Sequence, residues 1–314
     1  MDSGAVTITS ASNGAVAWPA LAVTDFDVAK SWVKSLCSTG ETRYSSDQIK
    51  TKFNQLCPGN RQQRAAIFRQ ATSQLTDQKV ICRSKKALLG GRPYRLNEWY
   101  VSNLAKMAQT AKYDEAAAFK AQLDDAFRSQ GSMAVAYTLS EGAVMALTNL
   151  NGAGRVRLVP VGLPDIPLGF EPGNYESRKY PKSYYHFGID AVPTESYKFN
   201  EEIDVLRVAL ADGPPTGRSG GELPQWVDFF EASNVQLWSE ILGAFCFAFA
   251  IRGAMTREGI CSALHPTLDE FEAQLIMEWG RRTGVLVSTM DGMATTVGEW
   301  WWLVVPWLRN GLAA

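Results

Sequence analysis

Between Gly152 and Phe199 a helix is implausible, and this stretch constrains the fold more than any other. Pro160, Pro164, Pro167 and Pro172 each withhold the amide hydrogen that a helix interior needs, and glycines recur among them. Val156, Leu158 and Val161 predict one extended strand inside it. Helical patterning lies on either side. The expected fold is therefore mainly α, with two helical lobes at 23–150 and 200–314 joined by a Pro/Gly-rich extended segment at 151–199. A chain of 314 residues, 46% of them hydrophobic, is long enough for two such units and can bury a sizeable core.

In the first lobe the helix signals are local. Thr24 with Asp27 three residues on makes a capping-box start, and Val28, Trp32, Val33 and Leu36 give one apolar stripe. Ser46 opens a second helix over Ile49, Phe53 and Leu56, which Cys57-Pro58-Gly59 stops. Asn60, with Gln63 at the third helical position, opens a third that buries Ile67, Phe68, Ala71 and Leu75. Val80-Ile81-Cys82 reads as a short strand before the Gly90-Gly91-Arg92-Pro93 turn, and helices follow at 98–112, 114–129 and 141–150. In the second lobe Asn200 caps 201–211, Pro224 starts a helix bearing Trp226, Phe229 and Phe230, and Ser233 caps another that runs to Ile251. Thr267 and Glu270 form a capping box for a helix with Phe271, Leu275 and Trp279, closed near Gly284. Pro306 interrupts any helix in the Trp-rich tail.

Charge is spread unevenly over this pattern. Residues 50–95 hold eleven bases against one acid, Asp77, a net of +10; with the whole chain at −1, the remainder carries −11. Positive charge concentrated on one segment is the footprint of a polyanion binder, and a merely solvated basic face has the same composition. Arg61 and Arg64 lie in the first turn of their helix, where the macrodipole disfavours each cation by a few tenths of a kcal/mol. With the free amides of that turn they make a phosphate seat. Arg69, Lys79, Arg83, Lys85, Lys86, Arg92 and Arg95 extend the run, and Gly90-Gly91 leaves its loop free to follow an irregular backbone. A second stretch, 175–187, interleaves Arg178, Lys179 and Lys182 with aromatics that include Tyr180 and Tyr184. Single-strand binders combine a charge track for phosphates with π faces for bases. These residues form the candidate RNA-binding set, although tyrosines packed between lobes account for the second stretch equally well.

Catalytic and metal motifs fail on context. Five widely spaced cysteines without a CxxC pair point to reduced thiols and an intracellular setting, and two histidines make a Cys/His zinc site implausible. Gly217-Arg218-Ser219-Gly220-Gly221 fits G-x-S-x-G, but Pro214-Pro215 stands where a nucleophile elbow needs a strand. Gly152-Ala153-Gly154 lacks the third glycine of a dinucleotide fingerprint. Asp269, Glu270 and Glu272 gather in the first turn of a helix, where acids complement the dipole. The expectation is a protein without catalysis, metal or cofactor. The apolar run 241–251 falls short of the roughly 20 residues of a bilayer span, and the N-terminus lacks the basic region of a signal peptide.

The ends read as arms. Residues 1–22 are small, polar and β-branched, and dock through Trp18 on this chain or on a neighbour. The tail, with Trp300, Trp301, Trp302 and Trp307, is a core element or an exchanged arm that touches a neighbouring subunit; as a membrane anchor it has only Arg309 beside it. In layout the chain resembles the nucleoproteins and filament coat proteins of helical RNA viruses. A helical body with Arg61, Arg64, Lys85, Lys86 and Arg92 on one segment, and loose ends bearing Trp18 and Trp300, Trp301 and Trp302, carry the resemblance. It implies sequence-independent binding of single-stranded RNA, and self-assembly as a homo-oligomer along a genome, in a virion and the host cytoplasm. The alternative is a cytoplasmic helical adaptor whose basic face docks on an acidic protein or membrane surface. A third reading is an enzyme whose carboxylates meet only on folding.

Overall fold

The Thr24 and Asp27 signal closes as its spacing implies. The Asp27 amide donates to the Thr24 hydroxyl at 3.2 Å, the Thr24 amide donates to the Asp27 carboxylate at 3.0 Å, and helix α1 runs Asp25–Ser38. This computed structural model describes residues 23–39, 45–56, 60–84, 93–136, 138–162, 188–217, 221–290 and 292–313. Trp18 and its arm, Lys85, Lys86 and Arg92, and the stretch with Arg178, Lys179, Tyr180, Lys182 and Tyr184 lie outside them.

Helix α2 (Ser46–Phe53) is followed by α3 (Arg61–Asp77), whose first turn is held by Asn60 accepting from the Gln63 amide at 2.9 Å. Strands β1 (Ile81–Arg83) and β2 (Tyr94–Leu96) pair antiparallel, with Ile81 opposite Leu96 and Arg83 opposite Tyr94. Helices α4 (Glu98–Ala108) and α5 (Thr110–Gln130) are joined by Gln109 in the left-handed region, at φ 52°. Then come β3 (Met133–Val135), α6 (Glu141–Gly152), β4 (Val156–Val161) and β5 (Gly188–Pro193). These three strands form an antiparallel sheet in the order β3-β5-β4, and Val161 faces Gly188 across it. The two described parts of the 151–199 segment, β4 and β5, therefore run side by side.

The second half departs from its sequence reading in five places. Residues 200–202 make a 3₁₀ turn (Asn200–Glu202) and helix α7 starts only at Asp204, running Asp204–Asp212. The Asn200 amide is taken by Asp124 at 3.2 Å instead of entering a helix start. Residues 224–230 are irregular rather than helical because side chains of α1 capture their surroundings. Ser31 accepts from the Leu223 amide, Ser35 donates to the Val227 carbonyl and Thr39 accepts from the Phe229 amide. Helix α8 (Val235–Arg252) is capped by Asn234, one residue past the expected Ser233. After α9 (Arg257–Ala263), helix α10 (Glu270–Thr283) uses the box of Asp269 and Glu272 rather than that of Thr267 and Glu270. Strands β6 (Leu286–Ser288) and β7 (Thr295–Val297) form a hairpin before α11 (Trp301–Ala313). That last helix runs through Pro306, which removes one i→i−4 bond from a helix otherwise held by burial on several sides.

The protein is mainly helical, with small antiparallel sheets. Elements from both sides of 151–199 share one apolar core, in which Val28, Trp32 and Leu123 join Trp226, Trp238, Phe245, Trp279 and Trp302. A smaller cluster of Val33, Leu75, Val80, Ile81 and Tyr100 ties α1, α3 and the β1–β2 hairpin to α4. Close approach of α8 to the end of α4 is set by Gly243, where a Cβ would lie 2.7 Å from the Ala108 carbonyl oxygen. Helix α8 is apolar and long enough to cross a bilayer, yet Trp238, Leu242, Phe245 and Phe249 on it are buried in this core.

Candidate nucleic-acid interface

Helix α3 and the β1–β2 hairpin carry most of the described part of the basic segment, while Lys50 and Lys52 lie on α2, paired with Asp47 at 3.7 Å and Glu231 at 3.1 Å. Arg61 and Arg69 on α3, Lys79 just beyond it, Arg83 on β1 and Arg95 on β2 are all exposed. Arg95 is paired with Glu98 at 2.9 Å. Among the described residues no carboxylate lies within ion-pair distance of Arg61, Arg69, Lys79 or Arg83. Arg64 is turned to another task. Its guanidinium donates to the carbonyls of Asn54 at 3.2 Å and Leu56 at 3.4 Å, closing the C-terminal end of α2. The double-arginine phosphate seat expected at the start of α3 thus comes down to Arg61. Arg69 and Tyr94 line a groove of about 430 Å³ between α3 and the hairpin, together with Thr72 and Thr76.

Lys79 occupies a position that favours glycine. Its amide donates to Thr76 and the Val80 amide to Leu75, the double bond of a Schellman ending, and its φ is 59°. The left-handed region costs a residue with a Cβ about 1 kcal/mol. The side chain crosses to α4 and places Nζ 5.7 Å from the centre of the Trp99 ring.

Trp99 opens a second groove, of about 520 Å³, between α4 and α8. Met107, Phe247 and Ile251 give it apolar walls, and Lys106, Arg252 and His265 stand among its lining residues. No carboxylate occurs among its described lining residues, in a chain whose acids outnumber its bases. The sequence reading missed this site. Its one legible sign was Trp99, an aromatic set off the buried α4 stripe of Tyr100, Leu104 and Ala108, and 48% exposed.

Beneath that groove, Tyr100 and Thr267 belong to a sealed ionic cluster. Lys34 of α1, only 2% exposed, donates to Glu272 at 2.9 Å, Asp269 at 3.2 Å and the Thr267 carbonyl at 3.1 Å. Lys30 reaches Asp269 at 2.5 Å, and Glu272 also accepts from the amides of Gln225 and Asp269. Burial pulls the Lys34 ammonium down, but Asp269 and Glu272 outweigh it, so its pKa stands above the ordinary lysine value. Burial holds the Glu272 carboxyl above the usual range despite Lys34. Asp269 meets the same burial, and the charges of Lys34 and Lys30 hold it below. Two shifted carboxylates do come together on folding, but neither lines either groove and both are matched by lysines. Glu270 is held by Arg257 at 2.8 Å. This cluster locks α1 and α4 to α10. Among the described residues no three His, Cys, Asp or Glu side chains gather as a metal site requires.

The Trp-rich tail lies inside this chain. Trp300, Trp301 and Trp302 are 5%, 4% and 0% exposed, packed through α11 against α5, α7 and α8. Trp301 donates to Asn149 at 3.2 Å and meets the Tyr113 ring edge-on at 5.7 Å. As subunit contacts these three are corrected to core residues, because the apolar faces of α5 and α8 are what they cover. Trp307, 37% exposed, reaches the surface.

No curated protein matches the sequence. A family of unknown function, DUF6581, matches residues 14–262, which include the α3 and hairpin face and both helices of the Trp99 groove. With well over half of its length covered by that match, the chain belongs to the DUF6581 family.

Proposed function

We propose that the protein binds single-stranded RNA through its phosphates, without reading sequence, and coats it as a nucleocapsid or filament protein. One observation supports this most. Arg128, Arg155, Arg207, Arg257, Arg282 and Arg309 are each held by a carboxylate, whereas Arg61, Arg69, Lys79 and Arg83 stay in water without one among the described residues. Cations left unmatched within one segment of the chain suit an anion from outside it. Two lobes, 23–150 and 200–314, are in this reading a division by role: the first carries the phosphate face and the second supplies most of the core. The segment 151–199 brings the bases and rings of 175–187 to the strand, and the arm 1–22 meets the next subunit through Trp18. Its setting is a viral ribonucleoprotein, in the virion and host cytoplasm.

The test is a salt titration of the purified protein on a labelled mixed-sequence RNA oligomer, beside a variant with Arg61, Arg69, Lys79 and Arg83 changed to alanine. Each phosphate contact contributes a slope of about −0.7 to log affinity against log salt on a single strand. The four-site variant is expected to be shallower by up to about 3. Absence of binding at low salt, or equal slopes in the two proteins, would overturn the reading. Binding to a folded acidic protein alongside no RNA binding would turn it to an adaptor.

A further inference from the structure

We infer that the groove between α4 and α8 seats a base of the bound strand, stacked on Trp99, with its phosphate on Lys106 or Arg252. This rests on the RNA-binding reading and assigns that site its second half. Three observations converge on it. A tryptophan 48% exposed on a helix whose buried stripe runs elsewhere leaves about half of its surface open, its ring approached by the Lys79 ammonium. The groove offers about 520 Å³ with apolar walls, room for a nucleotide unit, and its described lining holds Lys106 and Arg252 and no acid. Both cations are exposed, and among the described residues neither has a carboxylate within ion-pair distance. An apolar cleft rimmed only by positive charge discriminates for a flat apolar group that carries a negative one, which is the chemistry of a nucleotide.

The groove is also placed to receive the strand. Lys79 belongs to the phosphate face and its Nζ lies 5.7 Å from the Trp99 ring, so one side chain borders both surfaces. Trp99 lies three residues past the end of β2, and the Asn97 amide donates to the Val80 carbonyl at 2.9 Å, fixing the start of α4 against the end of α3. Phe247 on the α8 wall is likewise approached by a cation, the Lys112 Nζ 5.4 Å from its ring, though this lysine is already paired with Glu141 at 2.7 Å. Trp99 on the α4 wall and Phe247 on the α8 wall thus give the groove two aromatic faces, the kind of surface on which single-strand bases stack.

The experiment compares a mixed-sequence RNA oligomer with an abasic ribose-phosphate chain of equal length, on wild type, Trp99→Ala and Trp99→Phe. Wild type is expected to prefer the oligomer with bases about tenfold or more, the effect of one stacked base. Trp99→Ala should cut that preference by about tenfold, the share of one stacked base beside the rings of 175–187, while its salt slope stays that of wild type, and Trp99→Phe, which keeps a ring, should retain part of that share. Wild type binding both chains equally, or Trp99→Ala keeping the preference, would overturn the groove assignment and leave the phosphate face standing. Wild type binding neither chain would overturn both. Exposure of Trp99 makes misfolding of the variants separable by their unfolding midpoints, which are expected to match wild type within a few degrees.

Discussion

Lys34 and Lys79 lie on opposite sides of one physical choice. Lys34 is 2% exposed and is closed in by Asp269, Glu272 and the Thr267 carbonyl, all from a region more than 230 residues away. Lys79 is exposed, has no carboxylate within ion-pair distance among the described residues and sits on a backbone conformation that glycine would adopt more cheaply. Removing water from the first site makes partners obligatory, because an uncompensated buried charge costs several kcal/mol. Leaving water at the second makes partners optional, so their absence carries information about the surface rather than about the fold. The ionic cluster holds α1, α4 and α10 together; the basic face leaves its charge free to act outward.

The largest way to break this contrast is Lys34→Ala. Glu272 and Asp269 would be left buried against Lys30 alone, and a loss of about 3–5 kcal/mol is expected in urea unfolding. The pH dependence should steepen as well. In wild type Lys34 stands above the ordinary 10.5, so its contribution is full below that value and lost as pH rises through the folded one. Asp269, held below 3.8, contributes above that value and loses it as pH falls further. Glu272 stands above the usual range already in wild type, and in the variant Lys34 no longer opposes that rise; a carboxyl whose folded pKa is raised favours the folded state when protonated. Stability should therefore climb as pH falls from 7 towards 5. A variant within 1 kcal/mol of wild type, with no such climb, would show the cluster to be incidental.

How far the sequence reached follows the same divide between local and distant partners. The caps of α1 and α3 were legible because each donor and acceptor lies within three residues, as with Asn60 and Gln63. The irregular path of 224–230 was not, since its amides are claimed by Ser31 and Thr39 from α1, some 190 residues back. Position 34 reads as one more polar residue of an amphipathic helix until Asp269 and Glu272 fold against it. Pro306 argued against a helix on propensity, and burial of Trp302, Val304 and Val305 overrode it. For the candidate site, the charge of α3 and the hairpin was visible in composition, but the diversion of Arg64 to the end of α2 was not. The Trp99 groove lay half in view: α4 has a clear stripe, whereas α8 is apolar on nearly every side, and its sequence cannot say which side faces out.

Arg64→Ala sharpens the comparison within the basic segment itself. Its guanidinium serves the last turn of an eight-residue helix, so its loss should cost about 1 kcal/mol of stability. The salt slope on RNA should remain that of wild type. Arg61→Ala should behave in the opposite way, with stability unchanged and a slope shallower by about 0.7. Equal effects of the two substitutions on the slope would mean that Arg64 leaves α2 when RNA binds.

The smallest expected effect is also the most pointed, because stability and binding should move in opposite directions. Lys79→Gly relieves the left-handed backbone at φ 59° and should gain about 0.5–1 kcal/mol of stability. It keeps the amide bonds from Lys79 to Thr76 and from Val80 to Leu75, so the ending of α3 survives. It also removes the ammonium beside Trp99, and RNA affinity should fall with a slope shallower by about 0.7. Lys79→Asn, with a side chain that tolerates the same backbone but no charge, should follow the glycine variant in binding and give a smaller gain in stability. A residue whose removal steadies the fold is retained for something the fold does not need. If Lys79→Gly instead destabilises the protein, the contact with the Trp99 ring is holding α3 to α4, and this lysine belongs with Lys34 as part of the scaffold.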